Sequence, residues 1–109
     1  MKNIYRGDTF EFDFSADIEE SEEQYIFEKG EKLRVGLKCN ALESSEYLLY
    51  REKEITESTS EVHFEFPPDE TKAITPGNKI IEVELTTKDG KVMTIYQESI
   101  WVKGDVLND

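Results

Sequence analysis

The segment Asp8-Thr9-Phe10-Glu11-Phe12-Asp13-Phe14 limits the fold more than any other part of the chain. Three phenylalanines alternate with two acids at the two-residue period of a strand with one buried face. Slipping the register by one residue would exchange three buried rings, worth roughly 1.5–3 kcal/mol each, for two carboxylates that are costly to desolvate. Phe10, Phe12 and Phe14 must therefore face a core, and a second apolar surface must lie opposite them.

The same period recurs along the chain. Residues 32–40 set Leu33, Val35, Leu37 and Cys39 against Lys32, Arg34 and Lys38. Residues 61–66 turn Val62, Phe64 and Phe66 inward and Glu61, His63 and Glu65 outward, and residues 79–87 do the same with Ile81, Val83 and Leu85 against Glu82, Glu84 and Thr86. On this reading Cys39 belongs to the core. Tyr47-Leu48-Leu49-Tyr50-Arg51 is apolar on both sides, which suits a strand covered on both faces or a short buried helix. Its tyrosines and its neighbouring strands favour the strand. Tyr25-Ile26-Phe27 is a further short strand candidate.

The punctuation between these runs is equally informative. Lys88-Asp89-Gly90-Lys91 is a hairpin signal, because Asp-Gly takes the positive φ values of a tight strand connection. The returning strand covers residues 92–102, and Gln97-Glu98-Ser99 is the expected place for a bulge. Pro67 and Pro68 stop the ladder that precedes them, since proline has no N–H to donate. Asp69-Glu70-Thr71-Lys72-Ala73-Ile74 can then make one helical turn, with Pro68 at its first position and Ile74 as its anchor to the core. Residues 17–24 are too acidic to bury and read as a loop with at most a helical turn; residues 104–109 read as a tail. Six or seven strands and one helical turn favour an all-β sandwich or small barrel. With no repeat, linker or shift in composition, residues 1–109 are expected to form a single domain.

Thirteen basic against 25 acidic residues give a formal net charge of -12, a surface that repels phosphate backbones and argues against nucleic acid as a partner. Cys39 is the one cysteine, so no intrachain disulfide can form. The N-terminal residues contain neither the apolar run of a signal peptide nor that of a membrane span, and the expected setting is the cytosol or a particle assembled there.

The residues show little that resembles a reaction centre. His63, the sole histidine, faces outward on its strand, and Cys39 lies on the core side of another, so triad chemistry has no assembled nucleophile and base. One His and one Cys do not make a closed zinc site of the usual kind. Glu11 with Asp13, and Glu82 with Glu84, are carboxylate pairs on strand faces and read as solvated charges. Calcium in the segment from Glu19 to Glu23 is an alternative to plain solvation, but the EF-hand spacing is absent. Arg6-Gly7-Asp8 spells an adhesion tripeptide, although Gly7 more simply supplies the turn before the first strand. Trp101 and Tyr96 are expected to pack in the core rather than to make contacts outside it. No catalytic, cofactor-binding or metal-binding residue is identified, and the chain is expected not to be an enzyme.

Several short signatures together resemble a known pattern. They are Arg6-Gly7-Asp8-Thr9-Phe10, Pro68-Asp69-Glu70-Thr71 with Ile74 and Pro76-Gly77, Glu82-Val83-Glu84-Leu85, Asp89-Gly90-Lys91-Val92 with Thr94, and Val102 with Asp105-Val106. The chain is similar to the small immunoglobulin-like β-sandwich domains of phages and prophages, such as the N-terminal domain of the lactococcal phage upper baseplate protein. It departs from that pattern at Pro67, where relatives carry Ser or Thr, and at Lys79, Ile80 and Ile81, where they carry tyrosine. The resemblance implies an antiparallel immunoglobulin-like sandwich of about seven strands and a structural role in a virion, as a tail, baseplate or neck component. Implied partners are other virion proteins and further copies of the chain, with no nucleic acid and no membrane. A carbohydrate- or cell-surface-binding module is the alternative, resting on Tyr25, Tyr47, Tyr50, Tyr96 and Trp101 as a stacking platform.

Overall fold

The computed structural model describes residues 3–18, 23–40 and 46–104. Its elements are β1 (Asn3–Tyr5), β2 (Phe10–Phe14), β3 (Lys32–Lys38), β4 (Leu49–Glu54), β5 (Val62–Phe66), α1 (Pro68–Lys72), β6 (Gly77–Thr86) and β7 (Val92–Lys103). They build a five-stranded sheet in the order β1-β7-β6-β3-β4 and a two-stranded sheet of β2 and β5. The protein is an all-β sandwich.

The phenylalanine ladder makes one half of the core. Phe10, Phe12 and Phe14 pair in antiparallel register with Phe66, Phe64 and Val62, and all six side chains are buried. Leu33, Val35 and Leu37 of β3, Ile81, Val83 and Leu85 of β6, and Ile100 and Val102 of β7 press on them from the larger sheet. The rings of Phe12 and Phe14 meet Tyr96 of β7 across the gap, at 6.2 and 5.4 Å between centroids.

The turns follow their local chemistry. Gly90 has φ 90° and the Thr87 N–H donates to the Lys91 carbonyl at 2.8 Å, closing the β6–β7 hairpin. Gly7 has φ 84°, a conformation glycine adopts at no steric cost. The turn it forms docks on α1. The fully buried Thr71 hydroxyl donates to the Asp8 carbonyl at 2.7 Å and accepts from the Gly7 N–H at 3.1 Å, while Arg6 Nη2 donates to the Lys72 carbonyl at 2.7 Å. Arg51 of β4 forks onto Glu70 and lies over the Phe66 ring, tying α1 and β5 to the larger sheet. Ile74 anchors the turn in the core.

Several expectations are corrected. Cys39 is exposed, because β3 ends at Lys38 and the chain bends before the alternation can carry the thiol inward. Residues 47–51 are not covered on both sides: β4 is an edge strand paired with β3, Leu49 alone of that run is buried, and Tyr47, Leu48 and Tyr50 are exposed. Trp101 is 48% exposed rather than in the core, since Val102 takes the inward position opposite Ile4. The bulge lies opposite Val83 and Glu84, inserting Ile95, and not at residues 97–99. Tyr25-Ile26-Phe27 contributes only a single bridge from Phe27 to Thr59. A further strand stands at the start of the chain: β1 pairs in parallel with β7, so the sandwich is not wholly antiparallel. Within the expected acidic loop, Asp17 bridges to Gln24; of residues 19–23, where calcium is the alternative, 19–22 lie outside the described residues, as does most of the tail.

Candidate functional site

Each sheet has one face outside the core, and the two faces carry different chemistry. On the larger sheet, the strand register places Arg34, Gly36 and Lys38 of β3 on the outer side beside Tyr50 and Glu52 of β4 and Glu82 and Glu84 of β6. Arg34 reaches Glu84 at 3.1 Å and lies 4.0 Å from Glu52. Lys38 pairs with Glu82 at 3.1 Å, and Gln97 of β7 donates to the second Glu82 oxygen at 2.6 Å. Glu82 and Glu84 are thus not the solvated pair expected. Both Lys38 and Glu82 are buried, although they lie on the outer side. Burial works against the Lys38 ammonium, yet the hydrogen bond and charge of Glu82 outweigh it and raise the lysine pKa above its ordinary value.

Glycine makes this arrangement possible. The Tyr47 ring lies over Gly36, where a Cβ would stand 2.1 Å from a ring carbon. Seated there, Tyr47 packs against Tyr50 at 5.1 Å and over Lys38 at 4.9 Å, shielding the ion pair. At the other side of the same face, Trp101 of β7 stands beside Asn3 of β1, and Lys103 lies over the Tyr5 ring. Tyr5, Tyr47, Tyr50 and Trp101 are all exposed. Of the five rings considered as a stacking platform, Tyr25 and Tyr96 are instead half-buried and pack against the core.

The outer face of the smaller sheet is polar throughout. Pairing of β2 with β5 sets Glu11 directly opposite Glu65 and Asp13 directly opposite His63. His63 Nδ1 is hydrogen-bonded to Asp13, while Nε2 lies 3.5 Å from Glu11 Oε1 and 3.7 Å from Glu65 Oε1. The hydrogen bond to Asp13, with Glu65 and Glu11 adding to it, raises the His63 pKa above its ordinary value. Lys53 of β4 donates to the His63 carbonyl, leaving the ring to the carboxylates. An open groove beside His63 is lined by Lys53, Glu54, Glu57, Thr59 and Glu61.

His63 is therefore outward, as its strand pattern predicts, but it is not isolated. The Glu-x-Asp of β2 and the His-x-Glu of β5 were both visible in the sequence; what was missing is that strands some 50 positions apart are neighbours. Cys39 stands apart from this group, just beyond β3 of the other sheet. Comparison with known protein families, with characterised proteins and with solved structures returned no match.

Proposed function

We propose that this chain is a non-enzymatic structural protein of a phage or prophage virion, a tail, baseplate or neck component that works through protein–protein contacts. The observation that supports the contact role is the outer face of the five-stranded sheet, where Tyr5, Tyr47, Tyr50 and Trp101 stay exposed around the Arg34–Glu84 and Lys38–Glu82 ion pairs. Large amphipathic rings beside charges that are largely paired within the chain suit association, because aromatic side chains anchor interfaces. The virion assignment rests on the sequence signatures. Two of them, Arg6-Gly7-Asp8 and Pro68-Asp69-Glu70-Thr71, meet in space through the Thr71 hydroxyl.

Sedimentation of the purified chain at micromolar concentration, together with the genes that surround its own, tests this reading. Self-association that Trp101→Ala or Tyr50→Ala weakens, in a neighbourhood of tail or capsid genes, is the expected outcome. A monomer encoded among metabolic genes would overturn it.

The exposure of Trp101, Tyr47 and Tyr50 also supports a second reading, a carbohydrate- or cell-surface-binding module. β4 and β7 are three strand spacings apart, roughly 14 Å, so the rings would engage an extended glycan rather than one sugar. Binding on a glycan array that Trp101→Ala abolishes would favour this reading over the first.

A further inference from the structure

We propose that Glu11, His63 and Glu65 form a surface site for a divalent transition-metal ion of the zinc class, with Asp13 as the positioning residue behind the imidazole. Three ligand atoms, one from each residue, all lie within 4.8 Å of one another. The two separations from His63 Nε2, 3.5 and 3.7 Å, are close to those such an ion requires. Bonds of ~2.0–2.1 Å in tetrahedral geometry put neighbouring ligand atoms roughly 3.4 Å apart, so the two carboxylate oxygens, within 4.8 Å of each other, must draw together by up to about 1.4 Å, a movement that the exposed Glu11 and Glu65 side chains can make by rotation.

The second argument is orientation. A histidine that ligates through one nitrogen almost always donates the other ring N–H to a carboxylate or carbonyl, which fixes the tautomer and makes the ligand more basic. Here Asp13 occupies that place at Nδ1, and Nε2 is the nitrogen turned towards Glu11 and Glu65. The strand register supplies a third. Glu11 and Glu65 are direct cross-strand partners, and like charges directly opposite destabilise a ladder, a repulsion that a bound cation reduces.

The donor set selects among metals. An imidazole with two carboxylates suits Zn²⁺, Cu²⁺ or Ni²⁺, whereas Ca²⁺ takes six to eight oxygen ligands. Three protein ligands also leave coordination positions open to solvent or to a side chain of another molecule.

The test is calorimetric titration of zinc chloride into the full chain carrying Cys39→Ser, which removes the only thiol, with the His63 ring followed by NMR. Expected is one ion per chain, with a shift of the His63 ring signals. His63→Gln should weaken binding at least tenfold, Glu11→Gln and Glu65→Gln severalfold each, and Asp13→Asn about tenfold. Calcium chloride should leave the His63 signals unmoved. The absence of heat and of any His63 shift at millimolar zinc, or an unchanged affinity in His63→Gln, would overturn the proposal.

Discussion

The two sheets bury equivalent inner faces and differ on their outer ones. β2 and β5 alternate without exception, phenylalanine or valine inward and Glu11, Asp13, His63 and Glu65 outward, so every polar group on that face is exposed. In the larger sheet the inward set of Leu33, Val35, Leu37, Ile81, Val83 and Leu85 is as regular, but the outward set is not uniformly wet. Lys38 and Glu82 are buried there beneath Tyr47, which lies where Gly36 has no side chain. Alternation thus tells which side of a strand faces the core, and it leaves open what neighbouring strands build on the other side.

The largest expected effect tests whether the two sheets share one core. Phe64 is fully buried beneath the larger sheet, and Phe64→Ala should cost about 3–5 kcal/mol. In a denaturant titration followed by NMR, signals from β2–β5 and from β6–β7 should vanish together. Separate transitions would mean that the sheets fold independently, and the comparison would then be between two units rather than two faces.

A smaller effect separates the outer faces. Gly36→Ala displaces the Tyr47 ring and uncovers the Lys38–Glu82 pair, with an expected cost of about 1–3 kcal/mol typical of overpacking. Loss of the ring-current shifts at Lys38 would accompany it. A variant as stable as the parent, with those shifts intact, would show that the seat over Gly36 is not needed.

The smallest effect lies on the smaller sheet and is visible only through pH. The His63 pKa is raised in the folded protein, first by its hydrogen bond to Asp13. The stabilisation it contributes is therefore fully present below the unfolded value, ~6.5, and is lost as pH rises through the folded value. With EDTA present, the difference in Tm between the parent chain and His63→Gln should be larger in mildly acidic than in alkaline buffer. A difference that does not vary with pH would break the assignment of that face to charge pairing with the imidazolium.

What the sequence disclosed follows from the same contrast. Period-two patterns, Pro67-Pro68 and Asp89-Gly90 were enough for the facing of β2, β3, β5 and β6, for α1 and for the final hairpin. Cys39 is misplaced because it lies just past β3, where the period continues on paper after the chain has bent; Trp101, expected in the core for its size alone, takes the outer side because Val102 faces inward. Residues 47–51 misled because an edge strand carrying tyrosines over a glycine looks as apolar as a central one. The carboxylates around His63 could not be assembled without knowing that β2 pairs with β5, a contact across some 50 positions that no local pattern encodes.

The parallel pairing of β1 with β7 has a mechanical consequence. Asn3, Ile4 and Tyr5 run alongside Trp101, Val102 and Lys103 in the same direction. Tension applied ahead of Asn3 and beyond Lys103 therefore draws these strands past each other along their length, so that their rungs resist as a set and do not open singly like a zipper. Resistance to such a pull is governed by the rate of unfolding rather than by equilibrium stability. Three short rungs at the molecule's margin thus guard a sandwich whose main adhesive lies elsewhere.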